Sequence, residues 1–323
     1  MLRNRKAILA ISLVAVVAIL IAAWPRLKPK EPYETEREAA VAGAQQWLHT
    51  EQMDDGSFST DFGHPAGVTC DVMLAIVASG DDPGTWFTAQ ANPTAVEYLA
   101  KVGDEYAADA ASTAKLVVTL TAAGQNPSSF GGQDYVARLR SFSDGAGTYD
   151  AGTVGQAWAV LALAAAGETV PSAAVAILES YQLESGAWAA GWGPENDTTC
   201  LAIQALIAAG EPADSSSIRD ALAFLKEQQN DDGGFPTIKP SDWGTDTNAN
   251  STASVIMALT AAGEDPLSAR WAAGEANPVA ALLALQTEGG KIEFQPGVGS
   301  PLMATAQAVL ALSGKALPLE TRE

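Results

Sequence analysis

Six copies of a small-residue segment that ends in glycine constrain this chain more than any other feature. The final glycines stand 44, 43, 43, 53 and 51 residues apart, at Gly80, Gly124, Gly167, Gly210, Gly263 and Gly314. Glycine at this place predicts the end of a helix, because it readily adopts the left-handed conformation that closes one. A proline follows each of the six within four residues and prevents continuation. A period in the forties therefore predicts stacked helical units that bury one another's faces.

A second marker, Gln-x3-Gly-x-Phe/Trp, follows the first helix of a unit. Clear copies begin at Gln52, Gln182 and Gln229. The third unit keeps only Gly147-Thr148-Tyr149, the sixth has a shortened form around Gln286, and the second has lost the pattern. Each unit is therefore predicted to be a helix, a glycine-aromatic turn and a second, more apolar helix.

These paired helices with a Gln-x3-Gly-x-Phe/Trp turn resemble the repeat of squalene cyclases and protein prenyltransferase beta subunits. The resemblance covers about residues 39–315 and implies an all-α fold, the α6/α6 toroid, in which six helix pairs close into a ring. An open solenoid of the HEAT type is the alternative, but it does not need glycine-aromatic turns. We therefore predict a toroid at 39–315, a linker at 31–38 and a C-terminal tail at 316–323.

Residues 1–30 have the pattern of a membrane segment. Arg3, Arg5 and Lys6 precede an uncharged apolar run at 7–24, long enough for one transmembrane helix. We predict an uncleaved signal-anchor that holds the toroid on the extracytoplasmic side of the cell membrane, as a single-pass protein. A cleaved signal peptide, with small residues at Ala22-Ala23, is the alternative. Three basic residues lie on each side of the run, so flanking charge does not set the orientation.

Composition limits the chemistry. Six of the 18 Lys and Arg residues lie in the first 30 positions, which leaves a net charge of −26 on residues 31–323. Such a body repels nucleic acid, so we expect no nucleic-acid partner. Two histidines and two cysteines are too few for most metal sites built from imidazole, and we expect no metal site.

The catalytic motifs of the resembled families are missing, so the sequence leans away from an enzyme. Class II terpene cyclases use Asp-x-Asp-Asp, and the nearest strings, at 52–55 and 229–232, lack the first aspartate. Asp-Asp-x-x-Asp, which would hold magnesium and pyrophosphate, is also missing. Prenyltransferase beta subunits bind zinc with an Asp-x-Cys pair, whereas Asp197 and Cys200 are one residue too far apart.

Alignment of the six second helices on their final glycines predicts which positions line a cavity. Nine residues before the glycine stand Asp71, Lys115, Trp158, Leu201, Ser254 and Thr305. Three residues further on, on the same helical face, come Leu74, Val118, Leu161, Gln204, Met257 and Ala308. The loops before the fourth and fifth of these helices add Trp192, Glu195, Asn196 and Asp197, and then Trp243, Asp246, Asn248 and Asn250.

From these positions we predict a ligand-binding set of Asp71, Lys115, Trp158, Trp192, Gln204, Trp243 and Met257. A cup that is polar near the helix N-termini and apolar beyond suits an amphipathic ligand. A structural interpretation stays open for each residue. In that interpretation Asp71 and Lys115 only pair with each other, Asp197 and Asn250 cap helices, and the tryptophans seal the end of the ring.

The function predicted from these features is non-catalytic binding of a small amphipathic molecule. Vitamin B12 carriers resemble this fold without a cyclase motif, which makes cobalamin a candidate ligand; no other cofactor is expected. Those carriers close the ligand with a β-rich domain, so a partner protein would have to act as the lid here. The alternatives are a protein-interaction scaffold held at the membrane and a divergent terpenoid cyclase or prenyltransferase.

Overall fold

A computed structural model describes residues 32–60, 63–89, 92–150, 152–191 and 193–320. The chain divides into two compact units, residues 1–35 and 36–323, and the second contains the repeats. The predicted membrane segment at 7–24 lies outside the described residues. Within the described ranges, no helix combines the length and apolar character needed to cross a bilayer.

Twelve helices in the described part of the chain alternate between an outer and an inner position. The outer helices are α1 (Glu34–Glu51), α3 (Ala95–Tyr106), α5 (Tyr135–Ser141), α7 (Ser172–Ser180), α9 (Ser216–Gln228) and α11 (Pro278–Leu283). The inner helices are α2 (Pro65–Ala78), α4 (Ala110–Ala122), α6 (Thr153–Ala165), α8 (Asn196–Ala208), α10 (Ala249–Ala261) and α12 (Pro301–Leu312). A 3-10 turn at Pro83–Thr85 and a short antiparallel hairpin, β1 (Trp188–Ala189) with β2 (Pro194–Glu195), complete the described elements.

The inner helices form a closed ring. Each packs against the next along the chain, and α12 packs against α2. The close approach depends on small side chains ten residues before the final glycine, because Cys70, Ala114, Ala157, Cys200, Ala253 and Ala304 are all completely buried. The predicted α6/α6 arrangement of six helix pairs is therefore confirmed.

The glutamine of the repeated turn links its unit to the neighbouring unit by hydrogen bonds. Gln182 Nε2 donates to the carbonyl of Gly186 in its own turn, at 2.9 Å, and to that of Ser217 in the next outer helix, at 2.8 Å. Gln52 and Gln229 also donate to their own turns, at Gly56 and Gly233. Their second acceptors, the carbonyls of Trp86 and Trp271, lie in the segment before the next outer helix. Gln286 donates to Gly290 and to Ala40, both at 2.8 Å, and so joins the sixth unit to the first.

The third unit, which has lost this glutamine, replaces it from another element. Gln156 on α6 is completely buried and donates through Nε2 to the carbonyls of Gly147, at 2.9 Å, and Ala174, at 3.0 Å. Its Oε1 accepts from the backbone N–H of Tyr149 at 2.9 Å. The link to the fourth unit is kept although the local motif is absent.

Both boundaries of the toroid differ in the structure from those predicted. Residues 34–38, assigned to a linker, belong to α1, and Arg37 Nε donates to the carbonyl of Leu312 at 2.8 Å. The segment Glu34-Thr-Glu-Arg-Glu is rich in good helix formers, which accounts for the earlier start. At the other end Leu317 and Leu319 are buried, so the segment predicted to be a tail packs on the domain.

Cys70 in the first unit and Cys200 in the fourth are both buried and unpaired. Burial raises the pKa of the Cys70 thiol to about 12 and that of Cys200 well above its usual range. Both side chains therefore act as small apolar groups in the ring.

Candidate functional site

A cavity of about 290 Å³ lies inside the ring of inner helices. The polarity of its wall changes with depth along the helix axes. Toward the helix N-termini lie the charged residues Asp71, Lys115, Glu195 and Asp197, and the far end is apolar, with Leu74, Met257, Leu310 and Leu317. The cavity therefore has a polar end and an apolar end, and its volume is just below the lower limit of about 300 Å³ for small-molecule sites.

Five of the seven predicted binding residues lie on this cavity: Asp71, Lys115, Trp158, Gln204 and Met257. They come from five different helices, yet they occupy equivalent positions in successive units. The repeat therefore brings them together, because equivalent positions on inner helices face the same axis of the ring.

The alignment in the sixth unit is wrong by two residues. Thr305 and Ala308, which the alignment assigns to the cavity wall, are completely buried. The cavity is lined instead by Gln307 and Leu310. The hydroxyl of Thr305 accepts from the backbone N–H of the turn residue Ile292 at 2.8 Å. Three other units have the same bond at 3.0 Å, from Phe58, Trp188 and Phe235 to Thr69, Thr199 and Thr252.

That bond explains the error. Thr69 stands 11 residues before its final glycine, whereas Thr305 stands nine before Gly314. The threonine contact fixes which face of the helix turns inward, and the glycine fixes only where the helix ends. Two residues correspond to a rotation of about 200° around a helix, so alignment on the glycine selected the wrong face.

Asp71 and Lys115 form an ion pair at the polar end. Lys115 Nζ lies 2.7 Å from Asp71 Oδ1 and also donates to Oδ2 at 2.7 Å. The same ammonium lies 5.8 Å from the centroid of the Trp158 ring, within range of a cation–π interaction. The pairing confirms one part of the structural interpretation, and the Trp158 ring is only partly covered and lines the cavity.

Asp197 lies one turn closer to the helix N-termini and does not cap a helix. Its Oδ2 accepts from the hydroxyl of Ser251 on α10 at 3.3 Å. Its Oδ1 is buried and has no hydrogen-bond partner among the described residues. Burial, and then the neighbouring Glu195 carboxylate, raise the pKa of Asp197 to about 6, and the nearby Ser251 and Ser254 hydroxyls offset part of this rise. Asn250 is not a cap either, because the N-cap of α10 is Asn248.

The segment after α12 reaches the apolar end of the cavity. Leu317 lines the cavity, and its backbone N–H donates to Gln204 Oε1 at 2.9 Å. Gln204 Nε2 donates to the carbonyl of Cys200 at 3.2 Å. The amide of Gln204, predicted to bind ligand, is therefore already engaged by the chain itself.

Trp243, one of the two loop tryptophans predicted to bind ligand, does not line the described cavity. Trp243 is 99% exposed, so its predicted place at the cavity is wrong. It lies in the surface turn after Ser241, whose hydroxyl accepts from the Trp243 N–H at 3.1 Å, and this turn directs the indole into solvent. Trp192 falls outside the described residues.

Comparison with known proteins supports the fold. Residues 169–294 match the family described as the squalene-hopene cyclase C-terminal domain. The type II terpene cyclase MstE from Scytonema superposes with a TM-score of 0.60 at 16% identity, over 86% of this chain and 98% of that one. The chain has the terpenoid cyclase-like toroid fold. No curated protein sequence matches it.

Two further structures show how varied proteins with the terpenoid cyclase-like toroid are. An ent-copalyl diphosphate synthase from Streptomyces platensis matches with a TM-score of 0.53 at 17% identity, over 77% of this chain and 50% of that one. A glycosidase solved with glucose matches with a TM-score of 0.53 at 12% identity, over 88% of this chain and 98% of that one. The fold therefore does not assign a reaction.

The search for Asp-x-Asp-Asp missed one related arrangement. Glu195-Asn196-Asp197-Thr198 has an acid in the first and third places, at the start of an inner helix. The third-place acid, Asp197, has its pKa raised to about 6 by burial and by Glu195. A pattern that allowed glutamate in the first position would have found both acids. Sequence alone assigns both acids only to the loop before α8.

Proposed function

We propose that the toroid binds one small amphipathic molecule in its central cavity. The observation that carries the proposal is the graded lining of one cavity that is open at one side. The polar end of the ligand would contact Asp71, Lys115 and Asp197, and the apolar end would pack against the leucines and Met257. A variant of MstE was solved with geranylgeranyl dihydroxybenzoate, described as its substrate, so a related toroid holds an amphipathic molecule.

The cavity volume bears on the candidate ligands. About 290 Å³ suits a molecule with a short apolar body. A corrinoid is much larger than this space, so cobalamin would have to sit on the mouth of the ring beneath a lid supplied by a partner protein. A compact ligand inside the ring needs no such lid, and we propose it in preference.

The test is retention of a small molecule by full-length protein, purified in nonionic detergent and examined by native mass spectrometry. Leu201→Trp fills the cavity from its wall and should abolish the extra mass. Leu183→Trp makes the same change at an exposed position and should leave it. If wild type and both variants retain the same material, the molecule is bound elsewhere and the proposal is wrong.

A divergent terpenoid cyclase is the second candidate, favoured by the Glu195-Asn196-Asp197 acids. Such an enzyme needs a carboxylic acid that transfers a proton to an alkene. Asp197 would hold a proton near pH 6, but the raised pKa also makes it a weaker acid than an ordinary aspartic acid. The carboxylates at the polar end would also repel a pyrophosphate group. We therefore rank catalysis below binding.

We expect no cyclised or transferred product from squalene, farnesyl pyrophosphate or geranylgeranyl pyrophosphate. The measurement is product analysis by gas chromatography with mass spectrometry, against a heat-denatured control. Product that appears with wild type and disappears in Asp197→Asn would establish the enzyme and reverse this ranking.

We also propose that residues 7–24 anchor the toroid on the extracytoplasmic face of the cell membrane. The uncharged apolar run supports the membrane anchor. The outside location is inferred from the resemblance of this segment to a secretory signal, because the flanking charges are equal on the two sides. The protein should stay in the membrane fraction after carbonate extraction, and external protease should cleave the toroid in intact cells whose wall has been removed. Protection from protease would show the opposite orientation.

A further inference from the structure

The polar end of the cavity has an unbalanced charge. Among the described residues that line it, three carboxylates, Asp71, Glu195 and Asp197, accompany one cation, Lys115. Lys115 is already engaged with Asp71. No basic side chain in the described ranges pairs with Glu195 or Asp197, and Glu195 accepts from the hydroxyl of Thr198. This end of the cavity therefore attracts positive charge.

The unsatisfied polar atoms of the cavity are hydrogen-bond acceptors. Asp197 Oδ1 and Gln307 Oε1 are buried, and neither has a partner among the described residues. The two side chains extend from different inner helices, α8 and α12, into the same cavity. Buried acceptors are normally satisfied by a donor, and an ammonium group carries donors and no acceptor.

The remaining wall suits a cation with a short apolar body. The Trp158 ring, which already lies near Lys115 Nζ, can attract a second positive group through its face. Leu201 lines the wall at the same depth as Trp158, and Met257 and Leu310 line it deeper in; together they would bury an alkyl chain. Charge, hydrogen bonding and shape therefore favour the same kind of molecule.

We propose that the ligand of this cavity is an amine: an ammonium head group with N–H donors, held by Asp197 and Gln307, on a short apolar body. The inference rests on the proposed binding function and specifies its ligand class. A carboxylate ligand would meet two unpaired acids, and a neutral alcohol would leave the charge of the site uncompensated.

The test compares three probes of equal chain length, n-hexylammonium, hexan-1-ol and hexanoate, by isothermal titration against full-length protein at pH 7.5. Hexylammonium should bind at least about tenfold more tightly than hexanol, and hexanoate should bind least. Asp197→Asn should remove most of the preference for hexylammonium and leave hexanol unchanged. Asp242→Asn removes the same charge from an exposed loop and is the control for general attraction to an acidic protein.

Gln307→Leu is a second variant, in case Asp197→Asn does not fold. It should weaken hexylammonium several-fold without changing the net charge. Equal binding of hexanol and hexylammonium would overturn the amine inference and leave the proposed cavity function standing. Hexylammonium binding that is insensitive to both cavity variants would place the cation elsewhere and overturn it too. If none of the probes binds and the wild type retains no molecule, both proposals are wrong.

Discussion

Asp197 shows how one residue can have a different role from the one its position suggests. An acid near the start of a helix commonly accepts hydrogen bonds from the first turn. Here the carboxylate instead contacts Ser251 on the neighbouring inner helix and leaves Oδ1 without a partner in the described structure. Glu195 lies close enough to raise its pKa further. The ionised form of Asp197 is therefore disfavoured in the folded protein.

The first prediction concerns pH and stability. Because the pKa of Asp197 is about 6 in the folded protein and 3.8 ordinarily, the folded state binds more protons between these values. Stability should therefore fall as pH rises from about 4 to about 6 and then stay lower. Asp197→Asn removes this loss, and we expect it to be more stable than wild type at pH 7 by about 3 kcal/mol.

Urea unfolding of both proteins at pH 4 and pH 7 measures the effect. The advantage of Asp197→Asn should be present at pH 7 and largely absent at pH 4, whereas Asp242→Asn should show no such difference. An advantage of the same size at both pH values would mean that protonation is not its cause.

The second prediction concerns Trp158, which is the aromatic residue among the six that stand nine residues before the final glycines. If its ring lines an open cavity, Trp158→Ala should change the free energy of unfolding little, because no close-packed space is emptied. It should also weaken retention of any molecule that purifies with the wild type. A tryptophan packed as a plug would instead cost about 3–5 kcal/mol when truncated. A large fall in melting temperature with unchanged bound material would support the plug.

Among the elements, the glycine-aromatic turns determine how neighbouring units meet. At Gly290 the backbone has φ +88°, and an added Cβ would lie 2.2 Å from the carbonyl oxygen of Gly43 in α1. The turn of the sixth unit is thus pressed against the outer helix of the first. The nearby Gln286 bond to Ala40 strengthens the same junction.

The third prediction uses two glycines with similar backbone angles. Gly263, at the end of α10, has φ +71° and no atom within 4 Å of an added Cβ. Gly263→Ala should cost about 1–2 kcal/mol, because only the left-handed conformation is penalised. Gly290→Ala should cost at least about 2 kcal/mol more, because the junction must also move apart. Equal losses in denaturant unfolding would show that the junction is not tightly packed.

In the molecule as a whole, closure makes the repeats interdependent. A linear array exposes its two ends and can lose a terminal unit, whereas here α12 packs against α2 and α1 is bonded to the sixth unit. Arg37 adds a further bond from α1 to the end of α12. The six units should therefore unfold together.

The fourth prediction tests that cooperativity by ending the chain at residue 275, which removes α11 and α12. The truncated protein should lose its cooperative thermal transition, because the apolar faces of α10 and α2 become exposed. Circular dichroism and size-exclusion chromatography measure the outcome. A truncated protein that stays monomeric and melts in one sharp transition would contradict closure.

The sequence alone was enough for the architecture, because six copies of one unit repeat the same packing requirements. The glycine stops and the glutamine-glycine-aromatic turns predicted paired helices in a ring. The same repetition placed Asp71, Lys115 and Trp158 on one face, since equivalent positions on equivalent helices turn toward one axis. A short sequence pattern therefore predicts the fold when every unit repeats the same packing requirement.

Only the tertiary structure decided the features that depend on contacts between distant residues. Gln156 replaces the missing turn glutamine from another helix, and the threonine bond, rather than the terminal glycine, sets the inward face of α12. Leu317 reaches the cavity from beyond the last helix, and Asp197 lacks a partner for Oδ1 among the described residues. No short stretch of sequence encodes these contacts, because each depends on where a separate segment lies once the ring has closed.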